Sequence, residues 1–273
     1  MRRLRRLEVD MQLLLELAFL GGGFSGYQVQ PGKRTVQSVV QDAIEALYGK
    51  RYDVRGCSRT DSGVHANRFY ITFFPESEHI PVSRIPDAFN AMLPHDISVN
   101  SAREVPDRFH VRYDVIEKTY VYIIHDSRLR DPFLYGRAWE LKRTIDDCGV
   151  RRMRAAATHI CGRHNFSAFM ASGSSIEDPV RCVSDVSISR EGGLLKIAVT
   201  ADGFLYNMVR IIVGTLVKVA AGKLDPDEID DIIQSHDRTR AGETAPACGL
   251  YLDNVRFAPS YLYSDIHERK TYL

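Results

Sequence analysis

The chain has 273 residues, of which 26% are charged and 44% hydrophobic, and its formal net charge is only +1. That composition is ordinary for a soluble globular protein, and the length suits one long domain or two smaller ones. It excludes a global basic field, and no apolar run approaches the ~18 residues that a membrane helix needs.

The first residues, Arg2-Arg3-Leu4-Arg5-Arg6 followed by Leu13-Leu14-Leu15, loosely imitate a secretory leader. Glu8, Asp10 and Glu16 interrupt the apolar part and no small-residue cleavage site follows, so a cytoplasmic location is expected. Residues 12–20 alternate, with Leu13, Leu15, Leu17 and Phe19 on one face, and read as a strand. Gly21-Gly22-Gly23 then turns the chain. Val36, Val39, Val40, Ala43, Ile44 and Leu47 follow helical spacing, with Thr35 as N-cap and Gly49 as the stop. Strands are expected at 69–74, 97–101 and 118–124; the last puts Tyr120, Tyr122 and Ile124 on one face. A helix near 145–161 and strands near 183–188 and 194–200 follow. Residues 205–221 read as a nearly all-apolar, buried helix, and Asp225-Pro226-Asp227-Glu228 opens one more. These elements suggest two α/β halves, 1–105 and 106–273, packed closely together.

Five cysteines (57, 148, 161, 182 and 248) form no Cys-x-x-Cys pair, which points to reduced thiols and no structural zinc. Charge is unevenly placed. From Arg103 to Arg163 there are thirteen Lys/Arg against nine Asp/Glu, whereas residues 225–237 carry six acids and no Lys or Arg. Gly21-x-Gly23-x-x-Gly26 follows a strand and imitates a dinucleotide-binding turn. The next helix starts only near Thr35, too late for its N-terminus to meet a pyrophosphate. Asp61, Ser62 and His65 carry the residue types of a hydrolase triad, yet three groups in one turn rarely converge on each other.

Arg59-Thr60-Asp61-Ser62-Gly63-Val64-His65 has the chemistry of a tight turn, able to hold a carboxylate beside a cleft. Arg210 is the only charge between Gly203 and Lys218. A guanidinium on an apolar helix is costly unless it snorkels to water or meets a carboxylate. If it points into a cleft between the halves, Asp61 is its natural partner, held ionised as a nucleophile requires.

Six segments in order resemble the tRNA pseudouridine synthase A family. Its Gly-Arg-Thr-Asp-Ala-Gly-Val-His pattern appears as Ser58-Arg59-Thr60-Asp61-Ser62-Gly63-Val64-His65. Leu93-Pro94-His95-Asp96-Ile97, Phe109-His110-Val111-Arg112 and Lys118-Thr119-Tyr120-Val121-Tyr122 match three more motifs. Gly203 to Arg210 and Ala245 to Leu252 match its late arginine motif and its pocket-closing segment. The resemblance implies that Asp61 is the nucleophile, Arg210 its ion-pair partner and Tyr120 the platform under the target base. It further implies that Arg59 holds that base out of its helix and that Leu250 lines the pocket. The implied fold is two similar α/β domains about a pseudo-two-fold, sharing a long mixed sheet with a basic cleft between them. The implied protein is a homodimer that isomerises uridines 38–40 of the tRNA anticodon stem-loop, without metal or organic cofactor. The chain departs from the pattern at Leu20, Tyr27, Ser58, Arg68 and Phe69. Those departures are expected to fall in loops of the first domain and to bear on the choice of uridine.

Overall fold

The computed structural model describes residues 11–76, 80–173 and 176–258. The basic segment of residues 2–6 lies outside the described residues. Strand β1 (Met11–Phe19) leads through a single turn of 3-10 helix to α1 (Val36–Tyr48), then β2 (Arg55–Gly56), β3 (His65–Phe73), α2 (Ile85–Met92) and β4 (Ile97–Pro106). The second half runs β5 (Val115–His125), β6 (Trp139–Glu140), α3 (Asp147–Ile160), β7 (Gly162–Asn165), β8 (Val180–Glu191) and β9 (Leu194–Ala201). It closes with α4 (Met208–Ala220), α5 (Glu228–Ser235) and β10 (Leu250–Phe257).

All the strands join one sheet in the order β4-β1-β3-β10-β5-β9-β8-β7, with β2 on β3 and β6 on β5. The order repeats. In the first half the fourth strand lies beside the first, the first beside the third and the third beside the second; β10-β5-β9-β8 follows the same rule. The halves meet where β10 pairs parallel with β3, through only Tyr251↔His65 and Leu252↔Ala66. On its other edge β10 runs antiparallel to β5, setting Leu252 opposite Tyr120 and Leu250 opposite Tyr122. A mixed sheet follows directly from that parallel seam.

The local signals act as the sequence suggests. Thr35 caps α1 by accepting from the Ser38 amide, Ser38 returns the bond, and Gly49 ends the helix at φ 72°. Leu13, Leu15 and Leu17 of β1 sit in the core. Strand β3 begins four residues earlier than expected, at His65, β4 runs on to Pro106 and β8 is longer at both ends. Two helix starts also differ from expectation. The apolar helix begins at Met208 rather than near 205, because Asn207 takes the left-handed region at φ 59°, which asparagine tolerates better than most residues. Residues 203–206 thus stay outside the helix. The helix after Asp225 begins at Glu228, whose carboxylate accepts from the Asp225 amide at 2.7 Å. Helix α2, for which the pattern gives no strong cue, has a proline in its first turn and buries Ile85 and Phe89.

A second ion pair fixes the start of the long β5–α3 connection. Asp126, with a side chain 1% exposed, receives both Arg190 terminal nitrogens at 2.8 Å and the Ile145 amide at 2.9 Å. These donors hold its carboxyl below the ordinary value of 3.8 against the opposing effect of burial. Asp126→Ala is therefore expected to cost about 3 kcal/mol in denaturant unfolding at pH 7, because it strands Arg190 and the Ile145 amide. A carboxylate with a lowered pKa stabilises the fold above its unfolded pKa and loses that effect as pH falls, so the gap to wild type should shrink below pH 3.8. A gap unchanged at acid pH would contradict an ionic origin.

Candidate active site

Asp61 opens a turn closed by the Val64 amide bonding back to the Asp61 carbonyl at 3.2 Å, with Gly63 at φ 81°. That turn rests on the glycine-rich segment after β1. A Cβ on Gly21 would lie 2.0 Å from the Val64 carbonyl oxygen, and one on Gly26 would lie 2.8 Å from the Thr60 carbonyl oxygen. The Tyr27 amide also donates to Thr60 at 3.1 Å. Two of the three glycines that imitate a dinucleotide fingerprint, Gly21 and Gly26, thus let two backbones touch and seat the carboxylate turn. Ser62 and His65 are spoken for. Ser62 donates to the Phe24 carbonyl at 3.1 Å. His65 accepts the Gly21 amide at Nδ1, at 3.0 Å, and its Nε2 lies 3.1 Å from the Cys248 carbonyl. No triad forms.

Arg210 enters from α4, whose other side is core: Ile211, Ile212, Val213 and Leu216 are fully buried, each worth about 1.5–3 kcal/mol. Gly214 and Gly242 allow α4 to press on the segment before β10; a Cβ on Gly214 would meet the Glu243 carbonyl oxygen at 1.9 Å. That crossing brings the Ala245 amide to the Arg210 carbonyl at 3.1 Å, and Arg210 Nε donates to the Ala245 carbonyl at 2.7 Å. Its Nη1 donates to Asn207 Oδ1 at 2.7 Å. The guanidinium is aimed by neutral acceptors.

Arg210 Nη1 stands 3.6 Å from Asp61 Oδ2, with the arginine side chain 17% exposed. The expected pair is present, and the arginine does not snorkel. The distance exceeds a hydrogen bond, so the two charges attract without a clamp. The chain carries its own contrast in Asp126, gripped at both oxygens and lowered in pKa. For Asp61 burial wins: its carboxyl is raised above the ordinary 3.8, and Arg210 only pulls part of the way back. A carboxylate that is paired in charge and free in its lone pairs is a better base and nucleophile than one held by a fork.

Asp61 lines a cleft of about 410 Å³ together with Arg59, Tyr120 and Leu250, and Arg210 stands behind that lining against Asp61. All five residues expected at the site therefore converge. Tyr120 is buried on β5, edge-on to Phe204 at 5.1 Å between ring centroids, and Leu250 is buried at the start of β10. Arg59 is exposed. The departures divide into two kinds. Ser58 is at the site, its hydroxyl 3.2 Å from the Tyr120 hydroxyl. Tyr27 and Phe69 are not in loops facing a substrate: both are buried, with ring centroids 4.4 Å apart. The tyrosine at 27 is therefore a packing solution, and the expectation that it bears on the choice of uridine loses its structural basis. Of the basic residues between Arg103 and Arg163, Arg112 and Lys118 line the cleft. Arg152 and Arg154 instead bind the Leu224 and Ile188 carbonyls. The acidic run meets histidine and arginine, with Asp230 on His159 and Asp225 on Arg152.

A doubled strand order carrying one carboxylate against one guanidinium in a cleft with a buried tyrosine agrees with the comparisons. The chain belongs to the tRNA pseudouridine synthase family, whose model matches residues 17–114 and 156–258. The tRNA pseudouridine synthase A of Acetivibrio thermocellus is 43% identical over 248 residues, covering 91% of this chain and 99% of that one. The tRNA pseudouridine synthase A of Bacillus subtilis (strain 168) is 40% identical over 249 residues, covering 90% and 99%. The tRNA pseudouridine synthase A 2 of Clostridium perfringens is 39% identical over 241 residues, covering 88% and 97%.

Arg210→Leu removes the charge that lowers Asp61 while leaving the turn buried. The Asp61 carboxyl should then titrate at higher pH than in wild type, followed by NMR on protein labelled at aspartate carboxyl carbons. A titration unchanged or moved downward would show that the two side chains do not interact in solution.

Proposed function

We propose that this protein isomerises uridine to pseudouridine in the tRNA anticodon stem-loop, at positions 38–40, with Asp61 as nucleophile. The observation that carries the reading is the Asp61–Arg210 pair, joined across the seam between the two halves, at 3.6 Å, beside Tyr120. The reaction breaks the N1–C1′ bond, turns the uracil and joins C5 to C1′; C5 gives up its hydrogen and N1 gains one. Nothing is oxidised or hydrolysed overall, so the chemistry calls for neither metal nor organic cofactor. The Asp61 carboxylate either attacks C1′ or takes the 2′-proton, and both routes start from the same ionised oxygen. Arg210 keeps that oxygen charged as the base enters and water leaves.

Tyr120 offers a face on which the extruded uracil stacks, worth ~1–3 kcal/mol, and Leu250 closes the apolar side. Arg59, exposed in the turn that carries Asp61, fills the place that the base vacates. The working form is a cytoplasmic homodimer, each chain comprising lobes 1–105 and 106–273 over the shared sheet. Among the described residues no helix is long and apolar enough to cross a membrane.

Tritium release from [5-³H]uridine-labelled tRNA reads the reaction directly, because C5 loses its hydrogen only on isomerisation. Asp61→Asn keeps the size of the side chain and removes its charge, so release should fall to background while tRNA affinity stays within a few-fold of wild type. Turnover near the wild-type rate would remove Asp61 from the mechanism. A wild-type protein that binds tRNA and releases no tritium would make this an RNA-binding relative instead.

A further inference from the structure

The cleft lining contains three cations, Arg59, Arg112 and Lys118, and one carboxylate, Asp61, which already faces Arg210. None of the ion pairs among the described residues involves Arg59, Arg112 or Lys118. Lys118 is the costly one. It lies two residues before Tyr120 on β5, so its side chain leaves the sheet on the same face as Tyr120, and it is only partly exposed. Its backbone is fixed on both sides, by Ala201 of β9 and Val255 of β10, so the strand cannot carry it outward. A lysine stem on a strand is long enough to reach water, and surface lysines do so. This one lines the cleft with Tyr120 and Arg112, within electrostatic reach of Arg112 and of the fully buried Cys57. Burial and the neighbouring Arg112 both push its ammonium below the ordinary lysine value, while the Cys57 thiol opposes them only in part. A half-buried ammonium near another cation, with no ion-pair partner among the described residues, is a charge left for a ligand to meet.

We propose that Lys118 and Arg112 form the seat for one backbone phosphodiester of the RNA, next to the nucleotide that stacks on Tyr120. This rests on the RNA-isomerase reading of the cleft and gives it a register. One wall takes the base, at Tyr120 and Leu250, and the adjoining wall takes a phosphate on two donors of different reach. The ammonium is the deep point charge, and the exposed Arg112 guanidinium closes over the outer oxygens. Such a seat fixes the sugar between two held points and so presents C1′ to Asp61, a positioning role and not a chemical one.

The test uses a stem-loop RNA and the full-length protein. Lys118→Met keeps the stem and removes the charge. Its Kd for the stem-loop should rise about tenfold, the loss expected of one charge-assisted contact. The slope of log Kd against log salt should fall by ~0.7, the share of one phosphate on a single strand. Its thermal midpoint should be equal to or above wild type, because a charge without a partner has been removed. Lys118→Arg should recover most of the affinity. Stem-loops carrying a single neutral methylphosphonate are then scanned around the target uridine. At one position neutralisation should cost wild type about tenfold and cost Lys118→Met nothing further.

Unchanged affinity and salt slope in Lys118→Met overturn the phosphate seat, as does a lowered thermal midpoint with affinity per folded molecule retained. So does a scan in which every position adds to the mutation. A wild-type protein that neither binds the stem-loop nor releases tritium from it overturns the isomerase reading as well. Wild-type activity beside an indifferent Lys118→Met overturns the seat alone.

Discussion

A carboxylate and a guanidinium from opposite halves of one sheet, held near each other but not bonded, set the terms for the rest of this structure. Burial raises the Asp61 pKa and the Arg210 charge restrains that rise, so the site works in the margin between the two. Neither group could be left alone in the cleft. An isolated carboxylate there would take a proton, and an isolated guanidinium would lose several kcal/mol of hydration. Asp126 and Arg190 solve the same problem by a two-point grip with both oxygens used. One chain therefore contains two geometries of the same ion pair, told apart by the grip at the carboxylate.

Holding two charges at 3.6 Å without a direct bond demands that each be placed by something else. On the Asp61 side the placing is done by backbone against backbone, at Gly21 and Gly26. On the Arg210 side it is done by the crossing of α4 over residues 241–245, at Gly214 and Gly242, and by the Ala245 carbonyl and Asn207 side chain. Both supports rest on main-chain contacts that tolerate no added carbon, and on the Arg210 side the Asn207 amide adds one side-chain acceptor.

Much of this was legible in the residues. Thr35 and Gly49 bound their helix as their chemistry requires, and the lone Arg210 on an apolar stretch announced a partner. Six motifs in order fixed the family. What escaped was whatever depends on a distant neighbour. The late helix ruled out a nucleotide turn at the glycines after β1, but their actual contact, the Asp61 turn, lies some forty residues away in the chain and left no local sign. Tyr27 and Phe69 looked like changes to loops, and only the fold shows that they fill one another's space. The two-residue strands β2 and β6 carry no periodicity to detect, and α2 is too short for its pattern to stand out. Asn207 delayed the start of the apolar helix by three residues, because a left-handed residue leaves no trace in hydrophobicity.

Strand β10 is the last strand in chain order among the described residues, yet it lies at the centre of the sheet, between β3 and β5. As the polypeptide is made, β1, β3 and β4 can pair with one another, and so can β5, β8 and β9, while Asp61 and Arg210 still belong to separate pieces. Only insertion of Leu250–Phe257 closes the gap, and it does so with one edge parallel and the other antiparallel. Contacts of such long sequence separation form slowly and late. Assembly of the proposed site thus waits on β10: a chain interrupted before residue 250 would hold Asp61, Arg210 and Tyr120, but not the strand that lies between their halves.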